Sequence, residues 1–261
     1  MNVVADLCNL AVTAAALTVV AGCSTTPDHS APKSSQSATS PSSSAPSIGR
    51  PQVELPFTGL NSPGGVAVDS AGDVYVSDYG DNRVVKLAAA SSTQVSVPFT
   101  SLRDPEGVAV DAVGNIYVAS GGNNQVVKLP AGSTAQVELP FTGLNFPYGV
   151  AVDGASNVYV ADSGSSRVLE LPAGSTAQVE LPFTGFSGLA PPNDVAVDSA
   201  GNVYAVDGLH KRVFELPAGS NTQVELPFGT GPGNGEGGVA VDTVGNVYVA
   251  DNYRVLKLRA G

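Results

Sequence analysis

From Gln52 onward the chain repeats one pattern of short apolar runs separated by turn residues. Each unit contains four runs typical of β-strands, here called a (Gly-Val-Ala-Val), b (Asn-Val-Tyr-Val), c (Arg-Val-Val-Lys-Leu) and d (Gln-Val-Glu-Leu-Pro-Phe). Turn sequences such as Asp-Ser-Ala-Gly-Asp lie between the runs. The tetrapeptide Val-Ala-Val-Asp marks the units and ends at Asp69, Asp111, Asp153, Asp198 and Asp242. The pattern therefore predicts five copies of a four-stranded antiparallel unit.

Repeated four-stranded units of about 42 residues are typical of the blades of a β-propeller. The first d run, residues 52–57, precedes any a run, and the last unit ends after its c run at Leu258. We therefore expect residues 51–261 to form an all-β, five-bladed β-propeller. Its N-terminal strand is expected to pair with the last c strand and close the ring. A leucine-rich solenoid is the alternative, but the units lack its leucine pattern and any helical period.

The repeated motifs resemble those of a known family. Gly-Val-Ala-Val-Asp, Asn-Val-Tyr-Val-(Ala/Ser)-Asp and Asn-Arg-Val-Val-Lys-Leu resemble the NHL repeat. With Leu-Pro-Phe-Thr-Gly-Leu-Asn leading the units, they look most like the extracellular sensor propeller of mycobacterial receptor serine/threonine kinases. The resemblance implies an actinobacterial, surface-displayed propeller that binds a ligand. That propeller has six blades where we count five, and the kinase motifs Val-Ala-Ile-Lys, His-Arg-Asp and Asp-Phe-Gly do not occur in this sequence.

The N-terminal segment is predicted to direct and tether the protein. Residues 1–22 are predicted to be a lipoprotein signal peptide, because an apolar run ends in Val-Ala-Gly-Cys, which looks like a lipobox with Cys23 as the lipidated residue. An ordinary secretory signal is the alternative, since the leader has no Lys or Arg. Residues 23–50 are rich in Ser, Pro, Thr and Ala, which predicts a disordered tether. We expect a lipid-anchored protein on the extracytoplasmic face of the cell membrane.

Charge and composition narrow the classes of partner and chemistry. The chain has 12 Lys and Arg against 23 Asp and Glu, a formal net charge of −11, which disfavours nucleic acid as a partner. The only cysteines are Cys8 and Cys23, so no disulfide is expected in the propeller. His210 is the only histidine after the tether, and no nucleophile elbow occurs. The sequence therefore predicts a protein that is not an enzyme, with no cofactor and no metal site.

Acidic and basic residues recur together across the turn between b and c. In the second unit both members change together, to Ser120 and Gln125, which indicates that the two residues contact each other. We interpret them as structural pairs, each formed by a charge-assisted hydrogen bond that fixes the hairpin. The four predicted pairs are Asp78 with Arg83, Asp162 with Arg167, Asp207 with Arg212, and Asp251 with Arg254.

Strand alternation places the b–c and d–a loops at one end of the propeller, here called the top face. The turns of the opposite end are nearly uniform in sequence, whereas the top loops vary, and binding residues on rigid scaffolds concentrate in variable loops. The residue after each loop proline should enter strand a beside the central channel. The candidate ligand-binding residues are Tyr79, Asp81, Asn82, Arg103, Asp104, Glu106, Asn145, Phe146, Tyr148, Asn193, Asp194, His210, Lys211, Glu236 and Tyr253.

The sequence predicts a non-catalytic, sensor-like module that binds a ligand at the cell surface. The mixture of aromatic, acidic and amide side chains suits a protein, peptide or glycan of the cell envelope. One alternative is a divalent-cation-dependent propeller hydrolase or lyase, similar to lactonases, with Glu106, Asp194 and Glu236 around a cation. A third interpretation is a structural cell-envelope protein with no specific ligand.

Overall fold

The computed structural model describes residues 54–188, 190–207, 209–210, 212–228, 237–251 and 254–260. Their strands form five antiparallel sheets, one for each repeat, and this confirms the predicted five-bladed β-propeller. Blade 1 contains β1 (Pro63–Val68), β2 (Val74–Asp78), β3 (Arg83–Leu87) and β4 (Gln94–Ser96). Blade 2 contains β5 (Pro105–Val110), β6 (Ile116–Ser120), β7 (Gln125–Leu129) and β8 (Val137–Glu138).

The remaining three sheets repeat this order. Blade 3 contains β9 (Pro147–Val152), β10 (Val158–Asp162), β11 (Arg167–Leu171) and β12 (Val179–Glu180). Blade 4 contains β13 (Pro192–Val197), β14 (Val203–Asp207), β15 (Arg212–Leu216) and β16 (Val224–Glu225). Blade 5 contains β17 (Val239–Val241), β18 (Val247–Asp251) and β19 (Arg254–Leu258). No helix in the described part of the chain has the length and hydrophobicity to cross a lipid bilayer.

The outermost strand of each blade is shorter than the sequence predicts. The d run was expected to be a strand of six residues, but the four observed d strands span only two or three. A proline follows each of them closely, at Pro98, Pro140, Pro182 and Pro227. Proline has no N–H to donate to the ladder, so pairing stops before it.

A glutamine fastens each outer strand to the segment that enters the same blade. The Gln94 side chain accepts a hydrogen bond from Thr58 N at 2.9 Å and donates one to Thr58 O at 2.8 Å. Gln178 makes the same two bonds with Thr142 at 2.7 and 2.9 Å. The equivalent residues of blades 2 and 4 are Gln136 with Thr100 and Gln223 with Thr184.

The hydrophobic core lies between consecutive blades. Tyr75 and Val84 of blade 1, for example, are in one buried cluster with Val108 and Val118 of blade 2. Three further clusters join blades 2 and 3, blades 3 and 4, and blades 4 and 5. Both faces of an inner sheet are therefore covered, which explains why its a and b strands are almost continuously apolar.

Blades 5 and 1 are not joined by such a cluster within the described residues. Val255 of β19 is 41% exposed, whereas Val84, Val126, Val168 and Val213, its equivalents in the other blades, are all buried. Residues 54–57 contain no strand, and residues 51–53 lie outside the described residues. Closure of the ring by the N-terminal strand therefore remains a prediction.

The turns between the a and b strands share one hydrogen-bond pattern. Asp111 Oδ1 accepts N–H groups of Val113 and Asn115 at 3.1 and 2.9 Å, and its Oδ2 accepts the Tyr117 hydroxyl at 3.0 Å. Equivalent Tyr-to-Asp bonds occur in all five blades. The aspartate of Val-Ala-Val-Asp is thus part of the scaffold at the end opposite the top face.

Candidate functional site

Both kinds of variable loop lie at one end of each blade. Pro63 lies opposite Asp78 across β1 and β2, and Asp78 lies opposite Arg83 across β2 and β3. The d–a loop therefore enters β1 beside the b–c turn, as the alternation of strands requires. This end of the propeller is the top face.

The predicted acid–base pair of blade 1 holds these two loops together. Arg83 Nε donates to Asp78 Oδ2 at 2.8 Å, and its Nη2 donates to the Gly59 carbonyl at 2.6 Å. Asn61 N donates to Asp78 Oδ1 at 2.6 Å. The carboxylate is fully buried and thus ties the hairpin to the preceding loop. The same contacts occur in blade 3 among Asp162, Arg167, Gly143 and Asn145.

Blades 2 and 5 differ from this arrangement. In blade 2 the Ser120 hydroxyl replaces the carboxylate: it accepts a hydrogen bond from Arg103 N at 3.0 Å and donates one to Arg103 O at 2.9 Å. A neutral serine needs no arginine opposite, which fits Gln125 at the partner position. In blade 5, Asp251 and Arg254 lie opposite each other in the register of β18 and β19, and their side chains lie outside the described part of the chain.

Blade 4 uses a histidine where blades 1 and 3 use a loop. Asp207 accepts hydrogen bonds from Arg212 Nε and Nη2 at 3.1 and 2.5 Å. His210 N donates to Asp207 Oδ1, and His210 Nδ1 lies 3.0 Å from Asp207 Oδ2. The longer d–a loop of this blade donates no described hydrogen bond to the Asp207 carboxylate, so His210 fills the position that Asn61 and Asn145 occupy in blades 1 and 3.

The five a strands surround one cavity at the mouth of the central channel. Its free space, open solvent included, is about 250 Å³. In blades 1 to 4 the lining residues occupy two successive positions near the start of the a strand, and blade 5 contributes the residue just before β17. They are Gly64, Gly65, Glu106, Gly107, Tyr148, Gly149, Asn193, Asp194 and Gly238. The structure thus brings four of the predicted ligand-binding residues together: Glu106, Tyr148, Asn193 and Asp194.

The second lining position is glycine in every blade except blade 4, where it is Asp194. A Cβ at Gly65 or Gly107 would lie 2.8 or 2.7 Å from a carbonyl oxygen of the next blade. A Cβ at Gly149 would lie 2.5 Å from Asp194 Oδ1. These contacts are too close for any side chain, so the glycines are required by the approach of neighbouring blades. These glycines were not among the predicted residues, although their recurrence in four of the five units was a visible signal.

Asp194 places a buried carboxyl group in the wall of the cavity. The residue is 5% exposed. Its Oδ1 accepts Val195 N and its Oδ2 accepts Val239 N of blade 5, both at 2.9 Å. Burial raises the pKa of Asp194 to about 7, although the two N–H groups favour the ionised form. This carboxyl group can therefore exchange a proton near neutral pH.

Glu106 and Tyr148 complete the polar wall of the cavity. Glu106 is 6% exposed, and a Cβ at Gly64 would lie 3.3 Å from its Oε2, so the carboxyl group reaches toward blade 1. The Ser77 hydroxyl contacts the Glu106 carbonyl and fixes the backbone there. Tyr148, in blade 3, is half-buried. Side chains from three adjacent blades thus meet at one opening.

Other predicted residues lie in the top loops outside this lining, where they hold the loops to one another. Asn82 Oδ1 accepts Asp104 N at 2.7 Å, and Asp81 Oδ1 accepts Asn61 Nδ2 at 3.1 Å. Asn124, which was not predicted, accepts Phe146 N at 2.7 Å. The top loops also contain the predicted residues Tyr79, Arg103 and Asn145. The predicted residues Cys23, Lys211, Glu236 and Tyr253 lie outside the described residues.

Among the described residues, no group of three or more Asp, Glu, His or Cys side chains is arranged to hold a metal ion. The alternative cation site described from the sequence consists of Glu106, Asp194 and Glu236. That residue lies outside the part of the chain that the structure covers.

One of the repeats matches a known family model. The model of the NHL repeat matches residues 60–87, which run from the d–a loop through β1, β2 and β3. The chain contains an NHL repeat. Serine/threonine-protein kinase PknD of Mycobacterium tuberculosis is 60% identical over 45 residues, which are 16% of this chain and 7% of the kinase. The predicted resemblance is confirmed over that stretch.

Solved structures share the propeller fold at low sequence identity. A streptogramin B lyase matches with a TM-score of 0.60 and 16% identity, over 76% of this chain and 64% of the lyase. The structure of a nidogen/laminin complex matches with a TM-score of 0.62 and 21% identity, over 74% and 73%. A gluconolactonase of Xanthomonas campestris matches with a TM-score of 0.60 and 15% identity, over 76% and 73%.

Two of these three structures are enzymes, and this corrects one prediction. The expectation that the protein is not an enzyme is contradicted, because lyase and lactonase activities occur on the same architecture. The expectation was based on missing motifs of other folds. A catalytic site on a propeller need not contain those motifs.

Proposed function

We propose that this protein is a ligand-binding propeller of the cell envelope, whose binding site is the mouth of the central channel on the top face. The observation that carries the proposal is the convergence of Glu106, Tyr148, Asn193 and Asp194 on one cavity. Blade 1 has glycine at both positions, Gly64 and Gly65, so the fold can be built without polar side chains there. Non-glycine residues at these positions give the cavity a chemistry that the fold does not require.

The comparisons support a binding role with a protein, peptide or glycan partner. The 45-residue match is to a serine/threonine-protein kinase, and the resemblance described from the sequence implies a sensor propeller. A fold neighbour was solved in a complex between nidogen and laminin, so this architecture can present a surface to another protein. A rigid ring with loops gathered at one face is suited to the same use.

The proposed location follows from the N-terminal sequence. Cys23 after Val-Ala-Gly would carry the lipid, and residues 24–50 would hold the propeller away from the membrane surface. Metabolic labelling with a fatty acid should mark the protein in a globomycin-sensitive manner, and Cys23→Ser should abolish the label. Labelling that persists in Cys23→Ser would contradict the anchor.

The binding site is tested with a pair of variants on opposite faces. The full chain is immobilised and exposed to an actinobacterial cell-envelope fraction. Tyr148→Ala, in the cavity, is expected to lose the captured component, whereas Val113→Ala, on an exposed turn of the opposite end, should retain it. Retention of the same component by both variants would show that the site is placed wrongly.

Asp194 supports a second candidate function, a hydrolase or lyase. A buried carboxyl group with a pKa of about 7 can act as a general acid or base at neutral pH. Turnover of a cyclic ester (a lactone) that disappears in Asp194→Asn and persists in Glu138→Gln would favour this function. Loss of that turnover on chelation would indicate that it depends on a divalent cation.

A further inference from the structure

Side chains from two different loops lie against the b–c turn of blade 2. A Cβ added at Gly121 would lie 3.3 Å from Cζ of Phe146, which belongs to the d–a loop of blade 3. A Cβ added at Gly122 would lie 2.7 Å from Cγ of Arg103 and would also meet the Asp104 carboxylate, both in the d–a loop of blade 2. We call these residues the Gly121–Gly122 platform. None of them is among the described lining residues of the channel mouth, so the platform is a separate part of the top face.

Phe146 is a bulky residue at a loop position that does not need one. Ser62, Asp104 and Phe146 occupy this position in blades 1, 2 and 3, with φ values of 57°, 48° and 51°. This left-handed conformation is unusual for a bulky residue, and here the Asn124 side chain supports it by accepting Phe146 N at 2.7 Å. Because blades 1 and 2 form the same loop with small or polar residues, folding does not explain the ring.

Arg103 is likewise an exception among the blades. Asn61 and Asn145 occupy the equivalent position in blades 1 and 3. The Asn61 side chain donates a hydrogen bond to Asp81 Oδ1 at 3.1 Å. Blade 2 has the neutral residue Asn123 where blade 1 has Asp81. The arginine therefore lacks the acid that the repeat offers in blade 1.

Arg103 and Asp104 hold a charged donor and a charged acceptor ready at Gly122. Their backbone is fixed, because Ser120 Oγ bonds Arg103 N and O, Gly121 N donates to Asp104 O at 3.0 Å, and Gly122 N donates to Arg103 O at 3.1 Å. Within the described residues, neither the guanidinium group nor the carboxylate makes a hydrogen bond or an ion pair. Both groups retain their hydrogen-bonding capacity for a ligand on a preorganised loop.

The charges of the platform favour a neutral ligand with hydroxyl groups. Arg103 repels a cationic ligand, whereas Asp104 and the net charge of −11 repel an acidic one. A hydroxyl group accepts one hydrogen bond and donates another, so neighbouring hydroxyls can use both side chains. The C–H groups of a sugar ring are slightly positive, and the face of an aromatic ring is negative and attracts them. One aromatic ring beside one donor and one acceptor matches the size of a single sugar unit.

We propose that the Gly121–Gly122 platform binds a neutral saccharide, with one sugar ring against Phe146 and its hydroxyl groups hydrogen-bonded to Arg103 and Asp104. This inference goes beyond the proposed function, because it adds a second binding site to the top face. The two sites use different residues and are tested separately.

The full chain is applied to an array of neutral, acidic and amino-sugar oligosaccharides. The bound members are expected to be neutral. Phe146→Ser, Arg103→Asn and Asp104→Ser each introduce the residue that blade 1 has at the same position, so the loops should still fold. Each is expected to weaken binding to those members at least about tenfold. Val113→Ala, at the opposite end of the propeller, should change binding less than about twofold, and circular dichroism shows whether each variant remains folded.

Chemical treatment of a cell-envelope fraction separates a saccharide from a protein partner. Periodate cleaves the bond between carbons that carry neighbouring hydroxyl groups. Capture of an envelope component that depends on Phe146 should therefore be lost after periodate treatment and should survive digestion with a protease. The opposite result would identify a protein as the partner of the platform and overturn the inference.

Further results would also overturn the inference. They are the absence of binding to every member of the array, binding confined to acidic or amino-sugar members, and neutral binding that survives in both Phe146→Ser and Arg103→Asn. Neutral binding that requires Tyr148 but neither of these residues would assign the saccharide to the channel mouth, so the proposed function would stand without the platform. Binding that requires Phe146 and Arg103 but not Tyr148 would support the platform whatever the fate of the mouth.

Discussion

A single lining position shows how backbone spacing and chemistry depend on each other. Gly149 packs directly against Asp194, so a methyl group there would meet Asp194 Oδ1 at 2.5 Å and Val195 N at 2.9 Å. We predict that Gly149→Ala lowers the free energy of unfolding by about 1–3 kcal/mol, because the backbone must shift to relieve the overlap. Urea denaturation measures the change.

The control for this substitution is another glycine of the same blade. A Cβ added at Gly154 would meet no atom of a more distant residue within 4 Å, and the φ of Gly154 is not positive. Gly154→Ala should therefore be neutral or stabilise by about 0.4–1 kcal/mol. Equal destabilisation by both variants would show that the close approach at Gly149 is not the cause.

Asp194 also predicts how stability depends on pH. Its pKa is about 7 in the folded protein and near 4 in the unfolded chain. The folded state therefore holds a proton that the unfolded state releases between these values, and this contribution to stability is complete below pH 4 and lost as pH rises to 7. Glu106 and Tyr148 are the other ionisable groups of the cavity wall, and a negative Glu106 would act in the same direction.

Urea denaturation at pH 5 and pH 8 tests this dependence. Relative to Asp194→Gly, the wild-type protein should lose a few kcal/mol of stability over that interval, on the order of 1.4 kcal/mol for each pKa unit crossed. The difference in unfolding free energy between the wild-type protein and Glu138→Gln should be the same at pH 5 and pH 8. A difference between wild type and Asp194→Gly that does not vary with pH would contradict the assignment.

At the scale of the strand, the residue opposite the tyrosine of the b strand differs among the blades. Lys86 and Lys128 lie 5.1 and 5.2 Å from the ring centres of the tyrosines opposite them in blades 1 and 2. Blade 3 has Glu170 opposite Tyr159, and burial together with Asp153 raises the pKa of that glutamate. Blade 3 therefore has two acids close together where blades 1 and 2 have an attractive pair.

We predict that Glu170→Lys stabilises the protein at pH 7 by about 0.5–1 kcal/mol, because it replaces repulsion by a cation–π contact. Thermal unfolding measures the gain. Glu225→Lys, on an exposed outer strand, makes the same change of charge and should have little effect. An equal gain from both variants would indicate that net charge, not the local pair, is responsible.

At the scale of the whole molecule, the contact between the last and first blades decides whether the ring is closed. Val255 of β19 is exposed, whereas the equivalent valines are buried in the cores between blades. If residues 52–57 form the outer strand of blade 5, they pair with β19. Deleting residues 51–57 should then increase amide hydrogen exchange in β19 at least about tenfold, because its amides lose their hydrogen-bond partners.

Two internal references make that measurement specific. Deletion of residues 41–47, an equal length of the tether, should leave exchange in β19 unchanged. Strand β11, an inner strand of blade 3, should keep its protection in both deletions. Unchanged exchange in β19 after deletion of residues 51–57 would contradict closure by the N-terminal strand.

Much of this architecture could be predicted because it repeats. The recurring runs indicated the number of blades, their four strands and the residues after the loop prolines, among them Glu106 and Tyr148. The predicted outer strands were too long, because Pro98 and its equivalents end the pairing. The bond from Val239 to Asp194 and the pairing of His210 with Asp207 could not be predicted, since they depend on how one blade meets the next and on the course of one longer loop.

The hydrogen bonds from the outer-strand glutamines to the threonine that precedes each blade affect how the number of blades can change. These bonds join residues 36 to 39 positions apart in the chain, so each of blades 1 to 4 links its own beginning to its own end. Duplication or loss of one repeat would add or remove a complete blade and leave the glutamine hydrogen bonds of the other blades intact. If the ring closes as predicted, the contact between the first and last blades would have to form anew, and that contact would set the number of blades the ring can hold.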